Sequence, residues 1–349
     1  MAFDSSMIEA LRLTRSGNLT EATALLQGSF RSGMPVAPMP PAASGSIQSL
    51  LPPATTPRGA PDQSELGQRF EERTYRGNEG AMAYRLYRPA RATNGMPLLV
   101  MLHGCTQSPE DFARGTGMNR LADELGFLVA YPKQTPTANP QRCWNWFRPG
   151  DQQRDRGEPA LLAGITREVI AEHRIDADRV YVAGLSAGGA AAAIMAAQYP
   201  DIFAAVGVHS GLGCGAARDL PSALAAMRSG GGTRPSTQRK PAFVPVITFH
   251  GDRDTTVHEV NSTEIVANAS AASGVSLSVR TEKGRSESGR PYSRALSVGP
   301  DGAVLIEQWT IEGSGHAWSG GDASGSYTDP SGPEASREMM RFFLDRKRT

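Results

Sequence analysis

The stretch Gly184-Leu185-Ser186-Ala187-Gly188 constrains this chain more than any other. The apolar run Arg179-Val180-Tyr181-Val182-Ala183 precedes it and reads as a buried strand. Residues 189–197, nearly all Gly and Ala, follow it and read as a helix. A serine flanked by glycines at a strand-to-helix junction has the pattern of a nucleophile elbow. The turn leaves no room for side chains beside the serine, and it lifts the hydroxyl to a helix N-terminus where backbone N–H groups can stabilise an anion. The competing reading is a glycine-rich turn with an incidental serine. The strand and helix on either side favour catalysis.

A nucleophile on such a turn needs an acid and then a histidine later in the chain. Six histidines are available. His103 and His173 precede the serine. His209 and His250 each end an apolar run, so they read as packed strand-end residues. His258 and His316 lie in loop-like surroundings. His316 sits in Gly313-Ser314-Gly315-His316-Ala317-Trp318-Ser319-Gly320-Gly321, just after the strand-like residues 303–311, and is the expected base. The acid comes from Phe249-His250-Gly251-Asp252-Arg253-Asp254-Thr255-Thr256-Val257. Asp254 is expected to face the histidine, while Asp252 caps the turn or pairs with Arg253. The acid would fix the imidazole tautomer and stabilise its charged form. The oxyanion donors expected are the backbone N–H groups of Ala187 and Cys105. The latter follows strand-like residues 97–102 in His103-Gly104-Cys105, which resembles the oxyanion loop of lipases and esterases.

Taken together, five segments resemble the poly(3-hydroxybutyrate) depolymerase-type esterases of the α/β-hydrolase superfamily. They are Leu102-His103-Gly104-Cys105-Thr106-Gln107, Cys143-Trp144-Asn145-Trp146-Phe147, Gly184-Leu185-Ser186-Ala187-Gly188-Gly189, His250-Gly251-Asp252-Arg253-Asp254-Thr255-Thr256-Val257 and Gly315-His316-Ala317-Trp318-Ser319-Gly320-Gly321, in the family's order over residues 80–345. The resemblance implies an α/β-hydrolase fold and hydrolysis of short-chain hydroxyalkanoate polyesters or their oligomers. Feruloyl and acetylxylan esterases are relatives, so those substrates and general short-chain esters stand as alternatives. No metal or organic cofactor is needed for this chemistry. Trp144, Trp146 and Trp318 are candidate substrate walls, with one of Trp144 and Trp146 expected to pack under its loop.

Strands alternating with helices from residue 67 onward imply α/β architecture with a mostly parallel sheet and helices on both faces. Residues 67–349 form the expected catalytic domain. Ahead of it, residues 1–28 read as a small helical segment broken near Ser16-Gly17-Asn18, and residues 29–66 as a Pro-, Ala- and Ser-rich linker. The helical segment suits packing, homo-oligomer contact or partner binding, the last being the non-enzymatic reading of the chain. The short insertion at residues 211–240 suggests a partly open crevice.

A net charge of +1 argues against a nucleic-acid partner. No apolar run reaches the roughly 20 residues that insertion across a bilayer requires. Residues 1–7 lack the basic-then-apolar pattern of a secretion signal, which points to the cytoplasm, whereas the family resemblance implies an extracellular polymer. Three cysteines give no zinc spacing. Cys105 and Cys143 flank the expected site, so a disulfide between them with Cys214 left over is one arrangement; three free thiols is the other.

Overall fold

Successive side chains of a strand point to opposite faces, so an unbroken apolar run needs cover on both sides. This holds for β5 (Val180–Leu185). Val180 and Val182 enter one buried cluster, while Tyr181, Ala183 and Leu185 enter the other. The computed structural model describes residues 69–232 and 243–348. The expected helical segment 1–28, the linker 29–66 and residues 233–240 of the insertion lie outside the described residues.

The strands in chain order are β1 (Phe70–Gly77), β2 (Gly80–Tyr87), β3 (Leu98–Leu102), β4 (Leu128–Pro132), β5, β6 (Ala205–His209), β7 (Val246–Gly251), β8 (Ser278–Arg285), β9 (Pro291–Val298) and β10 (Val304–Ile311). They form one ten-stranded sheet in the order β1-β2-β4-β3-β5-β6-β7-β10-β9-β8. The six from β4 to β10 in that order are parallel. Antiparallel pairs finish both edges, β1 with β2 and β8 with β9. The fold is therefore the expected α/β type with a mostly parallel sheet. A separate short parallel pair joins β11 (Trp318–Ser319) to β12 (Thr328–Asp329).

Helices cover the two faces unequally. α1 (Pro109–Thr116), α2 (Met118–Leu125) and α7 (Ala335–Leu344) pack on the Tyr181 side. α3 (Gly157–His173), α4 (Ala187–Gln198), α5 (Leu220–Ser229) and α6 (Val260–Ser273) pack on the Val182 side. The Ala-rich α4 is buried over most of its length, which its small side chains permit. α5 lies within the insertion at residues 211–240, and Asp219 and Ser222 close its start as a capping box. Among the described residues no helix is long and apolar enough to cross a membrane.

Register places the site. Leu185 pairs with His209, His209 with Phe249, and Gly251 with Ile311. The parallel strands thus end level, and the loops after β3, β5, β6, β7 and β10 leave the same edge of the sheet. Ligand sites in open α/β sheets lie at that edge.

Candidate active site

Ser186 occupies the one-residue turn between β5 and α4 with φ 58° and ψ −120°, a conformation that side-chain-bearing residues rarely adopt. Its N–H donates to the His209 carbonyl at 2.9 Å, which pins the turn to β6. The flanking glycines are required by close approach. A Cβ on Gly184 would lie 2.7 Å from the Leu102 oxygen, and one on Gly188 would collide with the Leu102 and His103 carbonyls. The first turn of α4 is thereby pressed against the end of β3. Among the described residues the Ser186 hydroxyl makes no hydrogen bond.

Asp254 and His316 come from different loops and meet. His316 Nδ1 lies 2.7 Å from Asp254 Oδ2. The carboxylate can only accept, so Nδ1 carries the proton and Nε2 is left as a base. The other oxygen of Asp254 accepts the N–H groups of Thr256 and Val257, each at 2.9 Å. Burial alone would push the Asp254 carboxyl up. The imidazoles of His250 and His316 more than offset this and hold it below the usual carboxylate range. The two loops also touch through backbone: a Cβ on Gly251 would collide with the Ser314 carbonyl. Asp252 faces elsewhere and accepts the Gly313 N–H at 2.6 Å, closing the turn before the histidine loop. His258 is exposed, and its ring accepts the N–H of Val260 at the start of α6.

The loop after β3 presents Cys105, whose N–H makes no hydrogen bond among the described residues. Ala187 opens α4, so its N–H has no intrahelical partner. Cys105 is disulfide-bonded to Cys143, which resolves the cysteine alternatives, and Cys214 is free. Burial pushes the Cys214 thiol up to about 11. Further bonds tie the two loops together. Thr106 N–H donates to the Gln141 carbonyl at 2.7 Å, and Trp144 Nε1–H to the His103 carbonyl at 3.0 Å.

Trp144 is the indole that packs under its loop, as expected of one of the pair, and Trp318 calls for a correction. Trp144 and Trp318 are fully buried and Trp146 is 6% exposed. Trp318 Nε1–H donates to Ser336 Oγ at 3.0 Å, and its ring stacks on His209 with centroids 5.0 Å apart. Both Trp144 and Trp318 therefore support their loops from beneath and offer a ligand no face. Trp146 packs edge-on against Phe147.

Three supporting groups were not singled out by their sequence context. His250 reads there only as a strand-end residue. Its Nε2–H donates to the Val257 carbonyl at 2.7 Å and stands 3.5 Å from Asp254 Oδ2, bracing the acid loop. His209, also read as strand-end packing, accepts the Ser319 N–H at Nε2 and so bonds to the histidine loop as well as the elbow. Burial keeps its ring neutral, well below the usual histidine range. Glu158 accepts from Gln134 Nε2, Asn145 N and Asn145 Nδ2 at 2.5–2.8 Å, holding the loop that carries Cys143. Burial, with the nearby Asp151 charge, raises its carboxyl to about 7.

Comparison with known proteins places these loops in a family. A poly(3-hydroxyalkanoate) depolymerase C of Paucimonas lemoignei is 32% identical over 252 residues, 68% of this chain and 59% of its own. A feruloyl esterase B of Thermothelomyces thermophilus is 32% identical over 139 residues, 40% of this chain and 47% of its own. The chain thus spans roughly half to three fifths of these relatives. An acetyl xylan esterase from Aspergillus awamori superposes with a TM-score of 0.62 at 19% identity, over 79% of this chain and 98% of its own, which is likeness of fold. Residues 82–285, more than half of the sequence and inclusive of the β3 loop, the elbow and the acid loop, match the family described as Esterase PHB depolymerase, and the chain belongs to that family.

Proposed function

We propose that this chain is a serine carboxylic-ester hydrolase acting on short-chain polyhydroxyalkanoate polyester or its oligomers. The observation that carries the reading is the bond from His316 Nδ1–H to the buried Asp254, at the sheet edge from which the strained Ser186 projects. In the proposed sequence, Ser186 Oγ attacks the ester carbonyl carbon as His316 Nε2 takes its proton. The carbonyl oxygen becomes an oxyanion that accepts the N–H groups of Cys105 and Ala187. Losing one such donor costs roughly 3–4 kcal/mol of barrier in comparable sites. Collapse of the tetrahedral adduct breaks the bond to the alcohol oxygen, which leaves with the proton from His316. Water then gives its proton to His316, attacks the acyl-serine, and releases the acid with Ser186 restored.

Asp254 stays ionised throughout, which its depressed carboxyl favours. The disulfide and the Glu158 contacts hold the Cys105 loop in place, so that donor is in position before the charge develops. The polyester reading is favoured over feruloyl or acetylxylan esters by the longer match to the depolymerase. The test is hydrolysis of p-nitrophenyl butyrate, hydroxybutyrate oligomers and feruloyl esters by the intact chain and by Ser186→Ala. All turnover should vanish in the variant, and oligomers should give the highest kcat/KM. Wild-type-like turnover by Ser186→Ala would end the reading.

A further inference from the structure

Beside the Cys105 loop stands an exposed aromatic ring. Tyr327 is 47% exposed and is the one exposed Phe, Tyr or Trp among the described residues. Its backbone is left-handed, with φ 53°. Its hydroxyl lies 3.2 Å from Thr106 Oγ1, on the residue next to the proposed oxyanion donor. Thr106 Oγ1–H is already given to the Cys105 carbonyl at 2.6 Å, so the Tyr327 phenol is the donor of this pair.

The loop that carries Tyr327 is firmly seated. Gln107 Nε2 donates to the Ser326 carbonyl at 3.0 Å, and Ser326 N–H to Asp111 Oδ1 at 3.1 Å. Trp318 N–H donates to the Tyr327 carbonyl at 2.7 Å, and the β11–β12 pair begins directly after it. Gly325 fits flush on Gly115 of α1, where a Cβ would collide with backbone. Anchored from three sides, the chain still turns a large ring into solvent through a conformation that disfavours any side chain. Backbone of this kind clusters at functional sites, and here the side chain bonds the residue next to the proposed oxyanion donor.

We propose that Tyr327 is a specificity-determining residue: its ring, carried by a loop seated on α1 beside the Cys105 loop, is the platform on which the part of an ester chain beyond the scissile bond lies. The ligand is an extended, largely apolar ester with at least one repeat beyond the reacting carbonyl. A two-carbon acyl group carries no such repeat. This inference rests on the ester-hydrolase reading above.

The test compares p-nitrophenyl acetate with a 3-hydroxybutyrate trimer on the intact chain, Tyr327→Ala and Tyr327→Phe, with melting temperatures as a check on folding. Tyr327→Ala should raise KM for the trimer by at least about fivefold, the loss expected for one aromatic contact, with p-nitrophenyl acetate kinetics within about twofold of the intact chain. Tyr327→Phe keeps the ring and should recover most of the trimer KM. Equal changes on both esters would overturn the proposal, since the residue would then act through the Cys105 loop. No change on either, or a trimer KM that the Phe variant fails to recover, would overturn it too. An intact chain that hydrolyses neither ester would instead remove the underlying ester-hydrolase reading, and the proposal with it.

Discussion

The His209 carbonyl accepts the N–H of Ser186 at 2.9 Å, while the ring of the same residue accepts the N–H of Ser319, three residues beyond His316. One fully buried residue therefore spans the two, holding the elbow through its backbone carbonyl and the histidine loop through its ring. Its neutral imidazole is stacked between Phe249 and Trp318. Replacing it by Ala would leave a cavity and an unpaired Ser319 N–H. We expect His209→Ala to lose about 3–5 kcal/mol of stability, read by urea unfolding. Its kcat should fall more than its KM changes.

Asp254 and Asp252 are two residues apart and do different work. Asp254 accepts from His316 and two backbone N–H groups, whereas Asp252 accepts from Gly313. Asp254→Asn would offer the ring an amide donor as well as an oxygen and unsettle the tautomer, so kcat should drop by about 10⁴. Asp252→Asn should cost about tenfold or less, as a turn contact does. Steady-state kinetics on p-nitrophenyl butyrate rank the two; the reverse order would reassign the acid.

The Cys105–Cys143 bond closes a loop with a sequence separation of 38. Cross-links of that span stabilise by about 3–4 kcal/mol in the chain-entropy account. We expect the Cys105→Ser/Cys143→Ser double variant to melt lower by several degrees and to lose kcat, because the bond holds in place the loop whose backbone N–H at residue 105 is the proposed oxyanion donor. Differential scanning calorimetry and initial rates check both.

Glu158 links stability to pH. Its carboxyl is raised from an ordinary 4.5 to about 7, chiefly by burial. The folded chain therefore holds this proton more tightly than the unfolded chain does. The resulting stabilisation is full below about pH 4.5 and is lost as pH rises through about 7. Asp151, also raised by burial, adds in the same direction. The melting temperature of the intact chain should carry a downward component between pH 5 and 8, and Glu158→Gln should flatten it. An unchanged profile in the variant would show that Glu158 is ionised across that range.

Much of this was legible in the sequence because it depends on short-range geometry. The elbow needs Gly184 and Gly188 at fixed offsets, and the parallel strands appear as unbroken apolar runs. The segment α1 was not singled out, although Ser108 accepts the Asp111 N–H as an N-cap and Pro109 opens the helix. Its short, mostly polar run hid the amphipathic face that buries Phe112. The indoles misled for a different reason. An aromatic on a loop beside a nucleophile can face outward or downward, and the choice is made by partners distant in sequence. For Trp318 that partner is Ser336, and for Trp144 the carbonyl of His103. Tyr327 had no motif to mark it, since its position is set by tertiary contacts to Gln107, Asp111 and Gly115.

The proton relay is tested most directly by labelling the intact chain with a fluorophosphonate and mapping the adduct by peptide mass spectrometry. One phosphonyl group should appear on Ser186, and the labelling rate should collapse in His316→Ala. Adduct on any other residue, or undiminished labelling of Ser186 without the imidazole, would contradict it.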